Sequence, residues 1–151
     1  MTRRDFLIAG AWALVLGCTT PKPVTLRFHE QANPSLPSSR VRFVPVSGTE
    51  QWAVNPFPSL TERDVAHAQV VGNLPGAVMV QFSAHGALVL NELTTRARGM
   101  HVVVLVDEKP VMVWRIDRRV TDGQFLLRTD LPPERVQALV DYLNYLARPR
   151  L

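Results

Sequence analysis

Cysteine is almost absent from this chain: Cys18 is the only one in 151 residues, which excludes a disulfide within the chain and leaves its stability to packing. Long apolar runs are missing as well. The longest, Phe6 to Leu16, has eleven residues, and at about 1.5 Å per residue it covers only about half of a ~30 Å hydrocarbon core. Clustered histidine is also lacking. His29, His67, His85 and His101 stand apart, with no His-x-x-x-His, His-Glu-x-x-His or Cys/His pattern, so no metal site is expected. None of Ser35, Ser38, Ser39, Ser47, Ser59 and Ser83 sits in a Gly-x-Ser-x-Gly elbow, which leaves nucleophilic catalysis without support. Glycine is too sparse in "VGNLPG" for a phosphate loop, and that stretch reads as a turn. The adjacent carboxylates Asp107 and Glu108 read as a turn pointing into water rather than an acid and base pair. No catalytic residue and no cofactor is therefore expected. The formal charge is +4 and the pI about 10.0, but the arginines are scattered and interleaved with acids, so no basic stripe for nucleic acid is expected.

What is present begins at the N-terminus. Basic residues in front, an apolar middle and small residues at the end are the parts of a secretory signal. Thr2-Arg3-Arg4-Asp5-Phe6-Leu7 resembles the twin-arginine export signal, with Arg3 and Arg4 as its pair. It departs at Ile8, where a lysine is common, and export by the general route stays open. Val15-Leu16-Gly17-Cys18 resembles a bacterial lipobox, which implies cleavage before Cys18 and lipidation of its thiol. Residues 1–17 are thus expected to be a signal peptide and 18–23 a lipidated tether, with the membrane a partner through Cys18. Several acyl chains at about 0.8 kcal/mol per buried CH₂ hold stably where one is marginal. Removing 1–17 takes away Arg3, Arg4 and Asp5, leaving 15 basic against 12 acidic residues.

From there to Pro75 the chain carries eight of its twelve prolines, so long helices are not expected and residues 24–57 read as a Pro-rich extended segment. Within it "VTLRFHE" and "RVRFVPV" alternate as half-buried strands do. A short helix is expected from Thr61, with Thr61 as N-cap and Asp64 completing an acidic capping box. "AQVVG" and "AVMVQF" form a hairpin around Asn73-Leu74-Pro75-Gly76. Ser83 caps a helix with Ala87, Leu90, Leu93 or Thr94, and Ala97 at helical spacing, stopped by Gly99. "HVVVLV" is continuously apolar, as a central strand covered on both faces should be. "PVMVWRI" and "QFLLR" supply two more strands. Pro132 and Pro133 open a helix with Val136, Leu139, Val140, Leu143 and Leu146 on one face. The fold class is α+β: a mainly antiparallel sheet with about two helices packed on it, preceded by the Pro-rich extended segment.

Over 58–148 the order of elements and several local motifs resemble the head subdomain of the first periplasmic domain of SecD, a subunit of the bacterial protein-export machinery. "SLTERDVAHAQV" is similar to its opening segment, and "VQFSAHGALVLNELT" to its strand and Gly-Ala helix. Gly99 with "VVVLVD" matches a glycine, an apolar strand and an aspartate; "DLPPERVQALVDYL" matches the last helix. Two positions depart: Glu108 stands where a glycine is common, and Trp114 where a proline is frequent. SecD also has multiple membrane helices, for which this chain has no apolar run. The resemblance implies a soluble module that engages exported polypeptide.

The expected function is a cell-envelope lipoprotein facing the periplasm, a non-enzymatic binding or accessory module for exported or envelope proteins. The alternatives are a small periplasmic hydrolase or ligand-binding protein with a site assembled across the sheet, and a structural envelope component. Trp52, Phe57 and Trp114, with Arg115, form the expected interaction surface, since Trp and Arg are common interface anchors; the competing reading is that these aromatics pack in the core.

Overall fold

The structure, a computed structural model, describes residues 19–150. Arg3, Arg4 and Cys18 lie outside the described residues, as do the signal and lipobox readings that rest on them.

Side-chain period decides which layer each segment joins. β1 (Leu26–Glu30) alternates, sending Leu26 and Phe28 into a large apolar core while Arg27 and His29 face the other way. It lies between β4 (Leu60–Thr61) and β7 (His101–Val106), antiparallel to both. β8 (Lys109–Arg115) completes the sheet in the order β4-β1-β7-β8. A second sheet has the order β5-β6-β9, from Val65–Val70, Ala77–Phe82 and Gln124–Arg128. Every ladder is antiparallel.

The apolar run of β7 is explained by what covers it. Val102, Val104 and Val106 enter the large core, while Val103 and Leu105 point oppositely onto Val44 and Val54. Those two belong to a hairpin of β2 (Arg42–Ser47) and β3 (Glu50–Val54). Full burial of each valine is worth about 1.5–3 kcal/mol, so a strand covered on both faces has no use for polar alternation. The cover comes from the Pro-rich segment, which supplies β1, β2 and β3 with turns at Asn33–Leu36 and Pro37–Arg40 between the first two.

Both expected helices are present. α1 (Ala84–Arg96) begins at Ser83, whose hydroxyl accepts from the Gly86 N–H at 3.1 Å. It stops before Gly99, which adopts φ +84°. α2 (Pro133–Ala147) has Pro133 in its first turn and buries Val136, Leu139, Val140 and Leu143. Leu90 and Leu93 of α1 and the stripe of α2 enter the same core. Phe28 joins the two sheets there, edge to face with Phe82 at 5.6 Å and Phe125 at 5.2 Å.

Two expectations change. The helix from Thr61 is a single 3₁₀ turn, Glu62–Asp64, although both capping-box bonds form. Val65 onward pairs with β6, and that ladder ends the helix. The strand Glu50–Val54 was not expected, because "EQWAV" shows no clean alternation before the hairpin supplies its partner.

Candidate functional site

The aromatics singled out in the sequence fall in three places. Trp52, on β3, is half-buried over the smaller apolar cluster, with its ring centroid 4.7 Å from that of His101. Its Nε1–H donates to Glu50 Oε1 at 3.2 Å. Arg115 is the register partner of His101 and is exposed at the end of β8. Phe57 lies in the loop after β3 and is 77% exposed. Trp114 packs with the large core from the opposite face of β8, edge to face with Phe125 at 4.9 Å.

Asp107 and Glu108 tie elements together. Asp107 Oδ1 accepts from the Thr25 N–H at 3.1 Å and Oδ2 meets Arg135 of α2 at 3.3 Å. Glu108 pairs with Arg27 at 2.8 Å and Arg42 at 2.9 Å, holding the β7–β8 turn to β1 and β2. Beneath the β2–β3 hairpin, His29 is 1% exposed. Its Nδ1 lies 2.8 Å from Asn55 O; a carbonyl only accepts, so Nδ1 carries the proton and Nε2 holds a lone pair with no partner. Burial pushes the His29 pKa down; the Asn55 bond opposes that, and Arg42 adds to it. It is a neutral imidazole shielded from solvent. Glu30 differs: burial raises its pKa, but hydrogen bonds from Arg96 and Ser59 outweigh it and hold the carboxyl below its ordinary range. Among the described residues, no three His, Cys, Asp or Glu side chains gather as a metal site.

A concave surface lies at the boundary between the two sheets, beside β8 and β9. A groove of about 310 Å³ is lined by Met112, Trp114, Arg118, Val120, Phe125 and Leu126. It continues into a second hollow that reaches Met79 and Asp122. Its rim is the loop between the two strands, anchored to α1 by Thr94, whose Oγ1 accepts from the Val120 N–H at 2.9 Å. Arg119 Nε donates to Asn91 Oδ1 at 2.7 Å, which fixes the same loop. Pro110 to Trp114 are five consecutive apolar residues that are only half-buried, unlike those of β7. Of this groove, sequence reasoning found Trp114 alone. Met112 was missed because a half-buried edge strand and a buried central one share the same apolar signature, and Arg118 and Leu126 because they join the groove only when β8 and β9 are brought together.

No protein-family model matches the chain, and no curated protein does. Solved structures do. A SecDF chain, a membrane component that enhances protein export, matches with TM-score 0.60 and 17% identity over 82% of this chain and 63% of its own length. A SecDF in a super-membrane-facing form matches with TM-score 0.58 and 19% identity over 80% of this chain. This chain has a SecDF-like fold. It spans only 63% and 18% of the lengths of those two chains, and among the described residues no helix is long and apolar enough to cross a membrane. On the SecDF-like fold, the two departures noted in the sequence take physical form. Glu108 adopts φ +65°, a conformation that favours glycine, and Trp114 forms a wall of the groove.

Proposed function

We propose that this chain is a lipid-anchored cell-envelope protein whose SecDF-like head binds exported or envelope polypeptides as an accessory module and catalyses no reaction. The observation that carries the reading is the fold shared over 82% of the chain, at TM-score 0.60, with a SecDF chain that enhances protein export. The half-buried apolar strand beside an open groove supports it, because such a surface suits an extended chain. The anchor rests on Val15-Leu16-Gly17-Cys18 and export on Arg3-Arg4. Thr19 stands where an aspartate would favour inner-membrane retention, which favours the outer membrane for the lipoprotein, its head in the periplasm.

Photo-cross-linking of the intact protein in cells, with the partners identified by mass spectrometry, tests the binding role. Polypeptide adducts are the expected result; their absence overturns it. Cys18→Ala tests the anchor: lipid labelling is expected to vanish and the head to leave the membrane fraction, and labelling that persists in that variant overturns the anchor.

A further inference from the structure

We propose that the groove between β8 and β9 takes an extended polypeptide segment, with alternating apolar and acidic side chains, as an added β-strand paired to the outer edge of β8. This rests on the polypeptide-binding reading above and states where and how the polypeptide is held.

The ladder phase carries the argument. Ile116 donates its N–H to Met100 O and accepts from the Gly99 N–H, so its backbone faces β7. Alternation along an antiparallel strand then turns Trp114 toward β7, and the N–H and C=O of Val113 and Arg115 away from it. In the second sheet, Thr129 donates to Gly76 O and Phe82 donates to Gly123 O across the β6–β9 pair. By the same alternation Leu127 and Phe125 face β6, while Leu126 and Arg128 face outward. The two sheets thus turn unpaired backbone edges toward each other. Among the described residues no backbone hydrogen bond joins β8 to β9; they meet through Trp114 and Phe125.

The opposite edges are closed. β4 has two residues. The outer edge of β5 is met by Asn144 of α2, which donates Nδ2–H to Ala68 O at 2.8 Å and accepts from the Ala68 N–H at 2.9 Å. A short strand and a covering helix are the usual ways of blunting an edge, and β8 has neither. Its apolar residues stand half-exposed instead.

Charge selects the guest. Arg118 lines the groove, while Arg115 and Arg128 are the last residues of the two strands that border it; all three are exposed and make no ion pair among the described residues. The acids nearby are Asp117, which lines the groove, and Asp122, whose Oδ1 already accepts from the Gln124 N–H. Main-chain pairing gives sequence-tolerant affinity, and the arginines favour carboxylates on alternate positions.

The test uses the full chain in detergent and a labelled ten-residue peptide alternating valine with glutamate. Its lysine counterpart and two forms N-methylated on alternate amides, one in each phase, complete the set. The glutamate peptide is expected to bind at least tenfold more tightly than the lysine peptide. One N-methylated phase is expected to lose at least tenfold and the other little, since only one phase faces β8. Val113→Pro removes an outward N–H that β7 does not use, and is expected to lose tenfold with the thermal midpoint kept; Arg118→Glu should narrow the glutamate preference. Equal binding by both N-methylated forms to the unaltered protein overturns the proposal even where Val113→Pro fails to fold. A change from dimer to monomer in Val113→Pro with peptide binding intact overturns it too, since the edge then pairs two copies. Cellular cross-linking separates the two failures. Polypeptide adducts that persist unchanged in Val113→Pro overturn the groove and leave the binding role standing, whereas no adducts in the unaltered protein overturn both.

Discussion

Thr94 is sealed inside α1 at 0% exposure, and its hydroxyl has two tasks. It donates to Leu90 O at 2.8 Å and accepts from the Val120 N–H at 2.9 Å. Thr94→Val keeps the shape and removes the acceptor, leaving a part-buried amide unpaired at a cost of about 1–3 kcal/mol. Urea unfolding should show a lowered midpoint, and hydrogen exchange at Val120 should quicken out of proportion to α1; unchanged exchange there would mean that the bond does not hold the groove's rim. Helical spacing in the sequence allowed Leu93 or Thr94 at that point of the stripe, and the structure buries both. Periodicity locates a buried position, but the donor that a buried hydroxyl meets comes from another segment 26 residues on. The same limit applies to the groove. Trp114 was legible as an anchor by residue type, whereas Arg118 and Leu126 become its neighbours only when β8 and β9 are brought together.

At the scale of elements, the β7–β8 hairpin shows how a local rule can be broken and offset. Val106 and Lys109 are register partners, so Asp107 and Glu108 are the two central residues, at φ +49° and +65°. Such turns prefer Asn-Gly or Asp-Gly because both centres are left-handed. Glu108 contributes instead its pairs with Arg27 and Arg42, each partly exposed and worth about 0.2–1 kcal/mol. Glu108→Gly trades those pairs for relief of about 1–2 kcal/mol of left-handed strain. Stability should change little at low ionic strength and rise relative to the parent at 1 M salt, as screening removes what the glutamate offers. Denaturant titrations of both proteins across a salt series check this; a variant that loses ground as salt increases refutes the account. Element legibility followed the same physics. α1, α2, β1 and β7 carry strong periods or caps and could be read from the chain. β3 and the two-residue β4 carry neither and owe their existence to partners. The capping box at Thr61 is a true local signal, yet the β5–β6 ladder allows it only one turn.

Over the whole molecule, two adjacent residues of β1 link stability to pH, a buried imidazole and a half-buried carboxylate. His29 lies beneath the β2–β3 hairpin, and burial lowers its folded pKa from 6.5. Above that value both folded and unfolded states hold a neutral imidazole, and the residue has no effect on the balance. Below it the unfolded chain takes up a proton that the folded chain refuses, so stability falls as the pH drops through the window beneath 6.5. Glu30 repeats the sign lower down. Its folded pKa lies below 4.5, so stability present above that value is lost as the carboxylate bonded to Arg96 and Ser59 is protonated on unfolding. The folded chain should therefore weaken continuously from about pH 6.5 and more steeply below about 4.5. His29→Gln separates the two windows: an amide can still donate to Asn55 O but does not titrate. Urea midpoints measured from pH 7.5 to 4 should lose the upper part of the slope in this variant and keep the lower part. If His29→Gln retains the full decline between pH 6.5 and 5, the proton taken up on unfolding belongs elsewhere. The two covers of the β7 sheet, helices on one face and the Pro-rich hairpin on the other, would then respond to acid through groups other than the imidazole sealed between them.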